Sequence, residues 1–259
     1  MRKKIFLLVF GCLSFLWQYA QTSDYVFSHL DFANGLSNNH VTSIYKDNRG
    51  FMWFGTVAGL NRYDGYQFRL FKHDQRDTGT IVDNYIEQMF EGPGGRLWVE
   101  IRAGRFNIFD FGKDRFDRDD ASYLRKLSLP VFGLLRIIKG PSLNGDYWFV
   151  YKDSGVFHYP PSGKIIPLHD SNPRNSINGA RTDGDGNLWI VYRNGILEKI
   201  DGHTNKMVFR TNILQKSAGD NLSICNMYID RQNDIWLYSN GVFKGAFYYC
   251  PSTNELRHL

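Results

Sequence analysis

The chain has 259 residues, 42% hydrophobic, 16% aromatic and 22% charged, a balance that excludes disordered, collagen-like and coiled-coil classes and leaves one large domain or two small ones. Its formal charge of +5 sits at the start: Arg2, Lys3 and Lys4 belong to a stretch of twenty residues without an acid, and 28 Lys and Arg face 26 Asp and Glu beyond it. So small a surplus excludes nucleic acid as the expected partner.

Residues 1–20 read as a secretory signal peptide. A basic start is followed by the apolar run Ile5–Trp17, and Ala20 offers a small residue at the cut. That run is shorter than the roughly 20 residues a membrane span needs, and no later stretch approaches that length. Lipid attachment at Cys12 is disfavoured by the bulk of Phe10. Cys225 and Cys250 then remain as small strand residues, for which an oxidising compartment leaves a disulfide open.

From residue 21 onward the chain is periodic. Trp53, Trp98, Trp148, Trp189 and Trp236 follow one another at intervals of 45, 50, 41 and 47 residues. Each is preceded by an apolar strand and a turn, as in VTSIYKDNRGFMWFG and NMYIDRQNDIWLYSNG, and followed by a glycine: Gly59, Gly104, Gly155, Gly195 and Gly241. In the first unit this spacing predicts strands over Val41–Lys46, through Trp53, over Leu60–Tyr63 and over Tyr66–Phe71, with turns at Asp47–Gly50 and Asp64-Gly65. Four short antiparallel strands every 40–50 residues make a β-propeller blade, so the fold class is all-β. About five blades are expected, over residues 38–72, 82–118, 131–168, 176–211 and 221–259 of a propeller region 21–259. Helical spacing occurs only at Ala121–Leu127 and Asn212–Ser217, between blades. The segment Tyr25–Phe32 reads as a spare strand. The Trp series is structural, as a repeated core position requires.

These motifs resemble the two-component regulator propeller. The likeness rests on Gly35-Leu36-Ser37-Asn38-Asn39, on Asp47-x-x-Gly50-Phe51-x-Trp53-Phe54-Gly55-Thr56 and on Gly59-Leu60-Asn61-Arg62-Tyr63-Asp64-Gly65. It is strong in the first blade, fair in the fourth and fifth and weak in the third. The resemblance implies the periplasmic sensor region of a hybrid two-component protein, whose propellers close with seven blades, so that five form an incomplete ring. It implies no kinase activity here, because no kinase region follows in this sequence.

No residue pattern points to catalysis, a metal or a cofactor. The seven histidines are scattered, neither HExxH nor GxSxG nor a phosphate loop occurs, and Asp183-Gly184-Asp185-Gly186-Asn187 lacks the closing Glu of a calcium loop, position twelve being Asn194. Binding residues are expected on the face that carries the inter-blade linkers: Asn39, Tyr85, Arg102, Asn178, Arg193 and Asn240, with Asn38 and Asn84 beside them. Paired donors and acceptors with an aromatic plate suit a polyhydroxylated ligand. The expected function is therefore non-enzymatic sensing of an oligosaccharide or another small polar ligand, with self-association through unpaired blade edges. The alternatives are a propeller hydrolase or lyase, which needs paired carboxylates, and a protein-interaction platform. The strand centres nearest the axis read as apolar, which argues against paired carboxylates.

Overall fold

The computed structural model describes residues 28–102, 105–140, 145–168, 176–218, 225–239 and 245–259. The leader, Gly104, Asn240 and Gly241 lie outside the described residues. Asp31–Leu259 forms one unit.

That unit contains five four-stranded antiparallel sheets in chain order. The first is β1 (Val41–Lys46), β2 (Met52–Thr56), β3 (Gly59–Tyr63) and β4 (Phe68–Phe71); the second is β5 (Ile86–Gly92), β6 (Arg96–Ile101), β7 (Arg105–Asp110) and β8 (Arg115–Asp117). The third is β9 (Leu134–Lys139), β10 (Tyr147–Tyr151), β11 (Gly155–Tyr159) and β12 (Ile166–Leu168). The fourth is β13 (Ile177–Thr182), β14 (Leu188–Tyr192), β15 (Leu197–Ile200) and β16 (Met207–Thr211); the fifth is β17 (Cys225–Ile229), β18 (Ile235–Ser239), β19 (Gly245–Cys250) and β20 (Glu255–His258). The first strands β1, β5, β9, β13 and β17 neighbour one another in that order, and the sheets do not close into a ring. Short helices at Asp120–Lys126 and Ile213–Ala218 follow the second and fourth sheets.

Each repeated tryptophan occupies the second strand of its sheet, and the first four face the sheet that follows. Trp53 packs with Leu97 and Phe109, Trp98 with Tyr147 and Phe149, Trp148 with Leu188 and Ile190, and Trp189 with Ile235 and Leu237. These four are at most 2% exposed, whereas Trp236 in the last sheet is half-buried. The turn aspartate six residues earlier explains the recurring motif. Asp47 accepts the Arg49 and Phe51 amides with one oxygen and the Trp53 indole N–H, at 2.8 Å, with the other. Asp183 holds Trp189 at 3.1 Å and Asp230 holds Trp236 at 2.9 Å in the same way, so one side chain closes the hairpin and fixes the core residue. The second and third units lack this clamp, leaving the Trp98 and Trp148 indole nitrogens without a hydrogen-bond partner among the described residues. In the third unit Trp148 instead stacks on His158 at 4.3 Å, and the His158 ring is bound at 2.5 Å to the buried Asp146.

The repeated glycine also has a backbone cause. Gly59, Gly155 and Gly195 all adopt positive φ, at 136°, 82° and 78°, a region that disfavours side chains. Two expectations need correction. The stretch 25–32 is no strand where it is described: residues 28–31 are irregular, and Phe32 opens a 3-10 turn that Asp31 caps by accepting the Ala33 amide at 2.8 Å. Asn34 returns the favour by accepting the Asp31 amide, which commits this backbone to a turn instead of a ladder. The strand centres nearest the axis are not uniformly apolar either, because the first strands carry Glu87, Gln88, Arg136, Asn178 and Arg181.

Candidate functional site at the linker end

Topology puts the inter-sheet linkers and the hairpins after each Trp strand at one end of the unit. At that end four of the five first strands carry a β-bulge at their second residue. The register skips Thr42, Glu87, Leu135 and Asn178, while β17 pairs without a skip. A bulge adds one residue to one strand and re-aims its side chain. Thr42 shows the effect, since its hydroxyl donates to the Ile86 carbonyl of the next sheet at 2.5 Å.

Polar groups gather where the second and third sheets meet. Arg102 lies over the Tyr85 ring at 5.1 Å. Arg136 donates to Gln88 Oε1 at 3.3 Å, and Gln88 pairs in register with Glu100. Glu100 is 8% exposed, and its Oε2 has no hydrogen-bond partner among the described residues. Burial, aided by the charge of Glu87, pushes its carboxyl up to about 7. The cluster thus offers a guanidinium pair, an amide, an aromatic plate and a carboxyl that changes charge near neutral pH.

Of the residues expected from sequence, the structure brings together Tyr85 and Arg102. Asn39, in the segment before β1, and Arg193, in the turn between β14 and β15, lie exposed elsewhere. Asn39 accepts the Phe32 amide at 2.8 Å, Asn38 the His40 amide and Asn84 the His73 amide, so these three do turn work. The Arg193 amide donates to the Ser176 carbonyl, which braces a linker. Asn178 is the bulge residue of β13. Glu87, Gln88, Glu100 and Arg136 were missed. Their sequence signal was a charge inside an apolar strand, as in LWVEI, set against the next unit's first strand.

Among the described residues no three His, Cys, Asp or Glu side chains are placed to hold a metal ion, and no helix is long and apolar enough to cross a membrane. Asp183, in the calcium-like turn, is spent on Trp189 and on Lys199 at 3.0 Å. The cysteines stand far apart. Cys225 pairs with Ser239, which pairs with Gly245, five residues before Cys250; at about 3.4 Å per residue and 4.8 Å per strand that is about 19 Å, beyond disulfide reach.

Comparison with known proteins agrees with this architecture. Residues 35–58 match the two component regulator propeller family. A 62-residue stretch is 37% identical to a histidine kinase of Formosa agariphila, covering 24% of this chain and 4% of that protein. Two extracellular domains of hybrid two-component systems from B. thetaiotaomicron superpose with TM-scores of 0.52 and 0.56 at 18% identity, each over 91% of this chain. This chain spans 36% and 33% of their length. The virginiamycin B lyase of Staphylococcus aureus, bound to quinupristin, superposes at 0.57 with 14% identity over 92% of this chain and 74% of that one. At such identities the likeness is one of fold. At residues 35–58 the chain is thus similar to the two-component regulator propeller repeat, and it folds into five propeller-type sheets that stack without closing.

Proposed function

We propose that the chain is a ligand-sensing segment of an extracytoplasmic two-component receptor, and that it takes an oligosaccharide or similar polyhydroxylated ligand at the linker end of its second and third sheets. The observation that carries this reading is the Tyr85–Arg102 plate beside Gln88, Arg136 and the buried Glu100, whose Oε2 has no hydrogen-bond partner among the described residues. Sugar hydroxyls donate to carboxylate and amide oxygens and accept from guanidinium groups, while an aromatic face covers the apolar side of a ring. The regulator-propeller repeat and the shared fold of extracellular receptor domains support the sensing role.

A second reading, a propeller lyase or hydrolase, draws on two observations: the Glu87–Glu100 carboxyl pair and the lyase fold neighbour. One experiment separates the two. Calorimetric titration of oligosaccharides into the purified chain, with chromatography of the recovered ligand, should give saturable heat and unchanged ligand. Tyr85→Ala and Arg102→Ala should each weaken binding about tenfold, the loss of one stacking or charge-assisted contact. Cleaved product would establish the enzymatic reading, and undiminished affinity in both variants would move the site elsewhere.

A further inference from the structure

Every joint between neighbouring sheets has a giving face, which carries the tryptophan, and a receiving face on the sheet that follows. At the first joint the receiving face is Met89, Leu97, Val99, Phe109 and Phe116, each at most 8% exposed. Phe109 and Phe116 lie 4.9 Å apart, and Trp53 meets Phe109 edge-on at 5.2 Å. Asn107, paired with Val99, accepts the Val82 amide at 2.9 Å and so holds the linker whose Ile81 stops the joint. Leu214 is the stopper between the fourth and fifth sheets, and both stoppers are wholly buried.

The first sheet repeats this receiving face position by position, although no sheet precedes it among the described residues. Ile44, Met52, Phe54, Tyr63 and Phe68 stand in register where the second sheet has Met89, Leu97, Val99, Phe109 and Phe116. Tyr63 and Phe68 lie 4.7 Å apart, as their counterparts do. Asn61, paired with Phe54, accepts the Ser37 amide at 2.9 Å, and Leu36 beside it is 3% exposed in the place of the stopper. A sheet face meant for water reads as polar, whereas here clamp, stopper and apolar positions are all set for a sheet to cover them.

The fifth sheet presents the giving half. Tyr228 pairs with Trp236 as Tyr45 pairs with Trp53, and Arg257 pairs with Tyr248 as Arg69 pairs with Arg62. Tyr45 is packed into the first joint, but Tyr228 is exposed. At the first joint Arg62 and Arg69 reach across to Asp114 in the turn after β7, at 3.4 and 2.5 Å. The turn after β3 carries Asp64, so the receiving face of the first sheet offers Arg257 a carboxylate in the corresponding turn.

We propose that the fifth sheet of one copy docks on the first sheet of a second copy, with Trp236 against Tyr63 and Phe68 and Arg257 toward Asp64. The contact joins two different surfaces, so it is heterologous and propagates head to tail. It uses no residue of the linker-end cluster and stands apart from ligand binding. Sedimentation of the full chain and of two variants tests it. Ile44→Asp spoils only the receiving face and Tyr228→Asp only the giving face, and both positions are exposed, so both variants should melt cooperatively. Leu70→Asp and Arg257→Asp repeat the test at a second exposed position on each face. The mean mass of the parent should rise between about 1 μM and 1 mM. Each variant alone should stay monomeric, and an equimolar mixture of Ile44→Asp with Tyr228→Asp should form a dimer and nothing larger. A parent still monomeric at about 1 mM, a variant pair that associates as the parent does, or a mixture of cooperatively folded variants that stays monomeric would overturn the proposal.

Discussion

Two side chains test the account at the scale of single residues. Trp53 is wholly buried, bound to Asp47 and stacked at 5.6 Å on Phe71, and Trp189 is likewise bound to Asp183, with Phe209 tilted at 60° against its ring 5.7 Å away. Replacing either by alanine should cost about 3–5 kcal/mol, as for other large aromatic core sites, whereas Trp236→Ala should cost well under half as much because no sheet covers it. Urea denaturation of the three variants checks the ranking. Glu100 makes the second test. Its folded carboxyl titrates near 7, above the ordinary value, so the folded state holds a proton that the unfolded chain releases. Stability from this group is full below the ordinary carboxylate range and declines as pH rises through about 7. Glu100→Gln should therefore be more stable than the parent at pH 8, by about 1–2 kcal/mol, and the gap should narrow toward pH 5. A gap independent of pH would show that Glu100 is neither buried nor unpaired in solution. Asp183 has the opposite sign. Burial raises its carboxyl, but Lys199 and the Asn187 amide outweigh burial and hold it below the usual range, so its contribution is lost only in acid.

At the scale of elements, the sequence disclosed what repeats and concealed what does not. Val41–Lys46 stands where expected, and the helices lie within a residue of their predicted spans. These elements were legible because turn aspartates, glycines and tryptophans act locally, through hydrogen bonds and φ angles set within six residues. The bulge at Glu87 was not legible, since one added residue leaves an alternating pattern almost unchanged while turning a side chain to another neighbour. The linker stoppers escaped notice for a related reason: Ile81 and Leu214 gain their role from the sheet that arrives later in the chain. Gly195 is the element-scale test. With φ at 78° and an added Cβ only 2.7 Å from the Gln215 amide nitrogen, Gly195→Ala both strains the hairpin and pushes away the helix carrying Leu214. A loss of about 1–3 kcal/mol is expected; a thermal midpoint equal to the parent's would mean that the helix does not dock there. The cysteines give a further element-scale prediction. Reduction should leave both the mass of the intact chain and its melting midpoint unchanged, because the register separates Cys225 from Cys250.

For the whole molecule, the end sheets matter most. Every internal sheet hides its tryptophan face beneath the next one, but the fifth presents Tyr228 and Tyr238, 58% and 47% exposed, beside the half-buried Trp236 and Tyr248. At the other end the first sheet shows Ile44 and Leu70 at 61% and 42%. Each end is one half of the joint that recurs between neighbouring sheets, so copies can meet head to tail through surfaces the fold already uses. Small-angle X-ray scattering with light scattering, across a range of concentrations, tests the claim that five repeats build an unclosed propeller. The account predicts the scattering profile of an open arc and a mass that rises with concentration. A compact, monodisperse monomer of high thermal stability would contradict it, because the five sheets would then have closed on themselves.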